Sequence, residues 1–301
     1  HCTYYFLKNL SFELSKILPN SILVDCFTQS KNELIFSFLS DHTQRHLLVN
    51  ISRGFNAFAL KKEFHKAKSK YQNIFRPCTN RKVTSVVQVP NDRAFYIVLE
   101  NNYKIVFKMH GNRSNIVLIN EKEEVNAIFN PKLKADLSLK VEELQKSDPL
   151  ISVTNLEDKP SKILPQLGKN ASTHIEQETW YTLNLAERET LLINTHQGFQ
   201  SPSSFIVSHT TTAKISLWET EGSKFSSATE ASNKLYNELN YYLNFEVKKT
   251  EVLTQLAKKV RITKNYVTKC ESELERLLNK TSFRQKACLL YTSDAADEED
   301  S

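Results

Sequence analysis

The chain has 301 residues, of which 40% are hydrophobic, and it contains only 5 Gly and 8 Pro. This composition excludes collagen-like and low-complexity disordered chains, and the length suffices for two or three folded domains. No run of 18 apolar residues occurs, so the sequence predicts no ordinary transmembrane helix. The net charge is +6 although five acidic residues crowd the last eight positions, so the rest is strongly basic. Such a charge indicates a polyanionic partner, either nucleic acid or an anionic membrane surface.

The first predicted element is an amphipathic helix over residues 4–18, because Leu7, Leu10 and Leu14 recur at helical spacing and Pro19 follows. Two sets of short segments rich in β-branched and aromatic residues predict antiparallel strands. The first set covers residues 22–27, 34–39, 46–51 and 55–60, and the second covers residues 82–89, 94–99, 104–109, 115–119 and 124–129.

Between the two strand sets the sequence predicts a helix over residues 63–75, in which Phe64, Tyr71 and Ile74 are helically spaced. The lysines on or beside this segment are Lys61, Lys62, Lys66, Lys68 and Lys70. We interpret them as a basic face that contacts RNA backbone phosphates. The aromatic residues nearby, which include Phe55 and Phe58, could stack on bases but are better explained as core residues.

Periodicity is weak over residues 136–228, where the sequence predicts a mixed middle region with short helices and with strands near residues 205–207 and 214–219. A helix is predicted from residue 229 and enters a coiled-coil arm that extends to residue 287. Its seam residues alternate by three and four positions: Leu253, Leu256, Val260, Thr263, Val267, Cys270, Leu274 and Leu277. We expect its partner strand in downstream sequence, and we expect residues 288–301 to be a non-native tail.

Together these elements predict an α+β fold. Residues 1–135 form a domain of two antiparallel sheets with flanking helices, followed by the middle region and the long coiled-coil helix.

Signatures of enzymes and of metal sites are missing from the sequence. The five cysteines are odd in number and form no CxxC pair, which argues against a disulfide framework and against a zinc site. GxGxxG, GxxxxGK[ST], HExxH and GxSxG motifs do not occur. We therefore expect no catalytic residue, no cofactor and no metal, and the cysteine usage suits the cytoplasm.

Two predicted turns carry the candidate binding residues. Asp92 and Arg93 lie between two strands, where Arg93 could contact a phosphate or a base edge and Asp92 could orient it. From the residues alone an ordinary exposed turn is the better explanation. The second turn contains Gly111, Asn112, Arg113, Ser114 and Asn115. Its side chains could bind phosphate or could brace the loop itself.

The stretches NDRAFYIVLENNYKIVFKM and HGNRSNIVLIN resemble the NFACT family, which includes the bacterial factor RqcH, formerly called fibronectin-binding protein A, and its eukaryotic counterpart NEMF. The resemblance runs from YYFLKNLSFELSK to about residue 129 and resumes at FIVSHTTTAKISLWE and ASNKLYNELNYYLNFEVKK. It is strongest to the Bacteroidota versions. The family's helix-hairpin-helix module is expected to be degenerate or absent, because ILPQLGKNASTHIEQ keeps only Gly168 of a recognisable hairpin. The family's C-terminal RNA-binding domain is not in this sequence, so we expect a truncated chain.

This resemblance implies a ribosome-associated quality-control factor that binds the large ribosomal subunit with stalled peptidyl-tRNA and recruits tRNA for alanine tailing. The family's Asp-Arg pair matches Asp92 and Arg93, and its Gly-Arg-His-Ser-Asn-type signature corresponds to residues 111–115 with an Asn-Arg order that departs from it. The implied partners are rRNA, tRNA and peptidyl-tRNA, with no membrane. The ribosome would form the peptide bond, so the implied role is not enzymatic.

Two other functions stay open. The family's older name suggests a surface adhesin that binds an extracellular matrix protein, although no export signal is visible in the sequence. The family's N-terminal fold is also similar to that of formamidopyrimidine-DNA glycosylases, which suggests a DNA-binding protein without catalysis.

Overall fold

The computed structural model describes residues 2–148, 155–209, 213–219 and 221–297. The chain divides into two compact units, His1–Asn240 and Tyr241–Ser301. The first unit combines helices with a large and a small antiparallel sheet, so the predicted α+β class is confirmed. The second unit is part of one long helix.

Helix α1 (Tyr4–Ile17) begins where the sequence predicts, and the helix expected over residues 4–18 is confirmed. The side chain of Thr3 accepts a hydrogen bond from the backbone N–H of Phe6 and caps the first turn. The apolar stripe formed by Leu7, Leu10 and Leu14 is at most 1% exposed, because it faces the large sheet.

The large sheet has ten antiparallel strands in the order β10-β9-β8-β7-β6-β1-β2-β3-β4, and β5 pairs separately with β1. The strands are β1 (Ile22–Ser30), β2 (Glu33–Ser40), β3 (Thr43–Ser52), β4 (Phe55–Lys61), β5 (Gln72–Asn73), β6 (Arg81–Gln88), β7 (Ala94–Leu99), β8 (Lys104–Lys108), β9 (Asn115–Ile119) and β10 (Val125–Ile128).

The two predicted strand sets are the two halves of this sheet. Among the described strands they join through β1 and β6, where Ile22 lies opposite Lys82 and Leu23 lies opposite Arg81. This short ladder pairs backbone groups that two separate sheets would leave open at their edges. Because β6 to β9 follow one another as hairpins, the β6–β7 and β8–β9 turns lie at the same end of the sheet.

Aromatic side chains fill the main core. The rings of Phe95 and Phe107 are stacked with centroids 4.8 Å apart, and Phe58 contacts both of them. Phe55 and Phe58 are 2% and 1% exposed. The interpretation of these two residues as core rather than as base-stacking groups is therefore confirmed.

The helix predicted over residues 63–75 is wrong. No helix is present there, and the segment lies extended against β1, with which the short strand β5 pairs. Lys70 and Phe75 adopt φ of +65° and +54°, which no α-helix accommodates. Contacts with β1 outweigh the helical spacing: Lys66 pairs with Asp25 at 2.7 Å, and Gln29 accepts a hydrogen bond from the backbone N–H of Ala67.

The middle region forms a helical layer and a small sheet. Its helices are α2 (Val141–Leu144), α3 (Pro160–Ile163), α4 (Gly168–Glu178) and α5 (Leu185–Gln200), and its strands are β11 (Phe205–His209), β12 (Ala213–Ser216) and β13 (Ser223–Phe225). Trp180 is buried at the centre of the helical layer, together with Leu164 and Leu192. The short helix α3 and the helix α4 are joined by a tight turn at Pro165–Leu167, and Gly168 is the first residue of α4. The degenerate or absent helix-hairpin-helix module stays a prediction.

Helix α6 (Ala228–Asp297) is a single helix, so the predicted long helix is confirmed, but it continues past residue 287 into the segment expected to be a tail. Its first turns belong to the first unit, where the Asn233 side chain accepts from the N–H of Leu60 and donates to its carbonyl, at 2.7 and 3.0 Å. These bonds satisfy the outer backbone groups of the edge strand β4. In the second unit the predicted seam residues Leu253, Leu256 and Leu274 are exposed. Among the described residues no helix is long and apolar enough to cross a bilayer.

The N-terminus of α6 is capped by a carboxylate from α1. Glu13 Oε1 accepts from the backbone N–H of Ala228 at 2.6 Å, and Oε2 accepts from Thr229 N–H at 2.8 Å and from Ser227 Oγ at 2.7 Å. These contacts satisfy free amides and place negative charge at the positive end of the helix dipole.

Replacing Glu13 with Gln should lower the free energy of unfolding by about 1 kcal/mol, because the charge and one acceptor oxygen are lost. Urea denaturation followed by circular dichroism measures the change. Glu121→Gln, at an exposed turn, is the matched control and should shift the midpoint little. An equal loss in both variants would contradict the capping role.

The cysteines fall into two classes. Cys2, Cys26 and Cys78 are buried, whereas Cys270 and Cys288 are exposed. Burial raises the pKa of the Cys2 thiol to about 11, that of Cys78 to about 12, and that of Cys26 well above its usual value. Because the thiolate is the reactive form, the buried class should be inert at pH 8.

A thiol-reactive chromophore at pH 8 should therefore titrate about two thiols quickly in the native protein and about five after unfolding in guanidinium. Fast reaction of three or more thiols in the native state would show that the core around α1 and β1 is open.

Candidate nucleic-acid interface

The two turns that carry the predicted binding residues contact each other. The backbone N–H of Met109, at the start of the β8–β9 turn, donates to the carbonyl of Arg93 in the β6–β7 turn at 2.9 Å. The side chains of Asp92 and His110 join the same two turns. The two turns, which β7 and β8 separate in the sequence, thus form one surface at this end of the sheet. We call it the turn surface (residues 90–93 and 110–114).

Asp92 is the buried anchor of the turn surface. Its side chain is 1% exposed and accepts from His110 Nε2 at 2.5 Å and from Lys146 Nζ at 2.6 Å. Gln88 holds the same turn by donating to the backbone carbonyl of Asp92 at 2.9 Å. Because the carboxylate is buried, a ligand would not contact it directly. Asp92 instead fixes the conformation of the turn that the ligand would contact.

Opposing effects set the pKa of Asp92. Burial raises it, while the hydrogen bonds and positive charges of His110 and Lys146 lower it by more, so the pKa lies below its usual value. The carboxylate is consequently charged at neutral pH and compensated on both oxygens.

The exposed members of the predicted set are Arg93, Asn112 and Arg113. Neither guanidinium forms an ion pair within the part of the chain that the structure describes. Both are therefore available for charge-assisted, bidentate contacts with an oxyanion. Gly111 has a φ of +66°, which explains glycine at this bend, although a Cβ built there meets nothing within 4 Å.

Ser114 and Asn115 are buried, and Asn115 braces the loop. Its Oδ1 accepts from the backbone N–H groups of Ile116 and Asn130, and its Nδ2 donates to Asp136 at 2.8 Å. Asp136 also pairs with Lys108. Of the two readings of this turn, Asn115 thus fulfils the bracing role, while Arg113 beside it is free to bind.

The predicted lysines lie elsewhere and differ in their surroundings. Lys66 is engaged with Asp25 and lies over the rings of Tyr71 and Phe27, at 3.9 and 4.3 Å from their centroids. The ammonium group of Lys61 lies 5.6 Å from the ring centroid of Tyr236. Lys62, Lys68 and Lys70 are exposed on the extended segment.

A cavity of about 1100 Å³ opens beside the turn surface and contains residues that sequence reasoning missed. Its lining includes Arg93 and Gly111 of the turn surface as well as Gln166 and Lys169 at the start of α4. Lys146, the partner of Asp92, also lines it. Arg93 and Gly111 were already candidates, whereas Lys146, Gln166 and Lys169 were not, because they reach the cavity through tertiary packing.

The side chains of this region are suited to binding an anion. Four lysines, Arg93 and several amide side chains supply donors, and Asp148 is the one acidic residue among the described residues that line the cavity. Among the described residues no group of three or more His, Cys, Asp or Glu side chains is placed to hold a metal ion.

No family model matches the chain, and no curated protein matches its sequence. Solved structures do match. The fibrinogen-binding protein from Staphylococcus aureus has a TM-score of 0.59 at 12% sequence identity, with 78% of this chain and 98% of that chain covered. The N-terminal part of the fibronectin/fibrinogen-binding protein from Streptococcus suis has a TM-score of 0.51 at 15% identity, with the same coverage of 78% and 98%. The chain therefore has the fold shared by these two fibronectin- and fibrinogen-binding proteins.

Proposed function

We propose that this protein binds tRNA and the large ribosomal subunit as a ribosome-associated quality-control factor of the NFACT type, and that it recruits tRNA for alanine tailing of stalled chains. The observation that carries the proposal is the pair of exposed guanidinium groups of Arg93 and Arg113 on one braced surface, neither of which forms an ion pair with any described residue. Arginines held in this way match the phosphate oxygens of folded RNA. The sequence resemblance supplies the ribosomal context, and the fold similarity is compatible with it.

The role we propose is binding rather than catalysis. The turn surface offers cations fixed by buried hydrogen bonds, and its one carboxylate is neutralised by His110 and Lys146. The buried Asp92 carboxylate is therefore not placed to act as a general base on a substrate, and His110 is held by its hydrogen bond to Asp92. In this proposal the ribosome forms the peptide bond and the protein positions RNA, in the cytoplasm.

Co-sedimentation with purified large ribosomal subunits tests the proposal. Wild-type protein should pellet with subunits and should retain added tRNA, and the Arg93→Ala/Arg113→Ala variant should retain several-fold less tRNA. Failure of the wild type to bind either tRNA or subunits would contradict the proposal.

A second candidate function is adhesion to extracellular matrix protein, which is favoured by the names of the two structural neighbours. Immobilised fibronectin and fibrinogen should then capture the wild-type protein with an affinity that excess tRNA leaves unchanged. If instead tRNA binds tightly and the matrix proteins do not, the adhesion hypothesis is excluded.

A further inference from the structure

The cavity beside the turn surface is positively charged, and its cations are of two kinds. Three lysines that line it are already neutralised: Lys146 by Asp92, Lys162 by Asp158 and Lys214 by Glu219. The other two cations in its lining are Arg93 and Lys169, which form no ion pair among the described residues. Asp148 also lines the cavity, where it accepts a hydrogen bond from Asn91 Nδ2 at 2.8 Å. A ligand anion would therefore meet the two cations Arg93 and Lys169 against this one carboxylate.

The first turn of α4 faces the same space. Gly168, Lys169 and Asn170 line the cavity, and no side chain caps this helix. The turn enters α4 through Gly168, whose φ is +75° and whose built Cβ would lie 3.4 Å from Thr3 Cγ2. The backbone N–H of Gly168 already donates to the carbonyl of Pro165, so it is the dipole of this 11-residue helix, together with the side chain of Lys169, that favours an anion at its first turn.

A second observation points to a ligand independently of the helix. Gln166 and Asn56 both line the cavity, and each is only 8% exposed. Gln166 Oε1 and Asn56 Oδ1 are buried and lack a hydrogen-bond partner in the described part of the chain. A buried acceptor without a partner costs about 1–3 kcal/mol, which a ligand with N–H or O–H groups would recover.

We propose that this cavity binds one nucleotide unit, with its phosphate at the first turn of α4 between Lys169 and Arg93, and with Gln166 and Asn56 as acceptors for donor groups of its base or sugar. This combination requires a ligand that carries both a phosphate and hydrogen-bond donors. The volume of about 1100 Å³ suits a small-molecule unit rather than a base-paired stem. The inference rests on the proposed function for the source of the unit, an unpaired nucleotide of RNA.

The test uses three probes: a fluorescent single-stranded RNA tetranucleotide, a mixture of free nucleoside monophosphates, and inorganic phosphate. Lys169→Glu should weaken binding of the tetranucleotide by about tenfold or more, because it reverses a charge at the phosphate. The same substitution favours the helix N-terminus, so unravelling of α4 does not explain a loss. Gln166→Leu should weaken binding by about three- to tenfold without destabilising the fold, because it removes an unpartnered oxygen.

Lys122→Glu is the matched control, since Lys122 is exposed in the β9–β10 turn, at the opposite end of β9 from the turn surface. It should leave tetranucleotide binding within about twofold. Amide chemical shifts of residues 168–170 should move with the tetranucleotide and, more weakly, with inorganic phosphate.

The outcomes separate this inference from the proposed function. If the wild type binds tRNA and the tetranucleotide but Lys169→Glu and Gln166→Leu bind them equally well, the cavity assignment is overturned while the function stands. If free monophosphates bind with the Lys169 dependence and RNA does not, the cavity site stands and its RNA source is wrong. If no probe moves the amides of residues 168–170, the inference is overturned.

Discussion

Reversal of both charges in the Arg93→Glu/Arg113→Glu variant should weaken tRNA binding by about 30- to 100-fold near physiological salt. Each exposed guanidinium–phosphate contact contributes about 1–1.5 kcal/mol, and about 1.4 kcal/mol corresponds to a factor of ten. Both side chains are exposed and project from turns, so the substitutions should leave the sheet intact. Fluorescence anisotropy with labelled tRNA measures the dissociation constant directly.

The control for this prediction is the Arg76→Glu/Lys122→Glu variant, which changes the net charge by the same amount. Arg76 precedes β6 and Lys122 follows β9, so both exposed side chains belong to the end of these strands opposite the turn surface. We expect this variant to bind tRNA within about threefold of wild type. An equal loss in the two variants would mean that overall charge, rather than the turn surface, drives binding.

Replacing Asp92 should disrupt the conformation of the turn surface in addition to removing one negative charge. Asp92→Ala leaves His110 and Lys146 without their shared carboxylate and opens a small void at a side chain that is 1% exposed. We expect a loss of about 2–3 kcal/mol in the free energy of unfolding. Urea denaturation measures it. A loss below about 0.5 kcal/mol would show that the buried network is not needed to hold the turns together.

The same carboxylate predicts a pH dependence. The pKa of Asp92 is lower in the folded state than in the unfolded state. The charged carboxylate therefore contributes its full stabilisation of the fold above the unfolded-state pKa of about 3.9, and this stabilisation is lost as the pH falls through the folded-state pKa. Wild type should therefore exceed Asp92→Asn in stability at pH 6, and this difference should shrink on acidification below about pH 4. A difference that stays constant from pH 6 to pH 3 would contradict the charge pairing.

Strands were the most predictable part of the fold. The segments at residues 94–99 and 115–119 have the same bounds in the sequence prediction and in the structure. Both are apolar runs closed by polar turn residues, so local chemistry alone defines them. The pairing of β1 with β6 could not be predicted from local chemistry. It depends on which edge strands still have unpaired backbone groups after the hairpins form.

Residues 63–75 show where local pattern fails. The apolar residues of this segment do have helical spacing in the sequence. The segment is nevertheless stabilised more by lying along β1 than by forming a helix, because Lys66 pairs with Asp25 and Phe64 packs against the core. Propensity differences of a few tenths of a kcal/mol per residue are easily outweighed by such tertiary contacts. The exposed Lys68 and Lys70 of this segment, and Lys62 just before it, thus belong to a loop with no common helical face.

The candidate site was predictable only in its exposed cations. From the residues alone the turn with Arg93 was best explained as an ordinary exposed turn, and the turn with Arg113 as either phosphate-binding or bracing, so it was the family resemblance that made them candidates. Nothing local distinguishes a buried Asp92 from an exposed one, since its burial comes from His110 and Lys146 in other segments. The cavity is even less predictable from local sequence. Asn56 and Lys169 are more than a hundred residues apart and come to line the same cavity only when the middle region packs.

The salt dependence of tRNA binding tests the central claim most directly, namely that Arg93 and Arg113 neutralise RNA phosphates. The slope of log Kd against log salt concentration counts the phosphates neutralised, at about 0.7–0.9 per contact. For the Arg93→Ala/Arg113→Ala variant the account predicts a slope smaller than that of wild type by about 1.5. An unchanged slope, whatever the affinity, would contradict it.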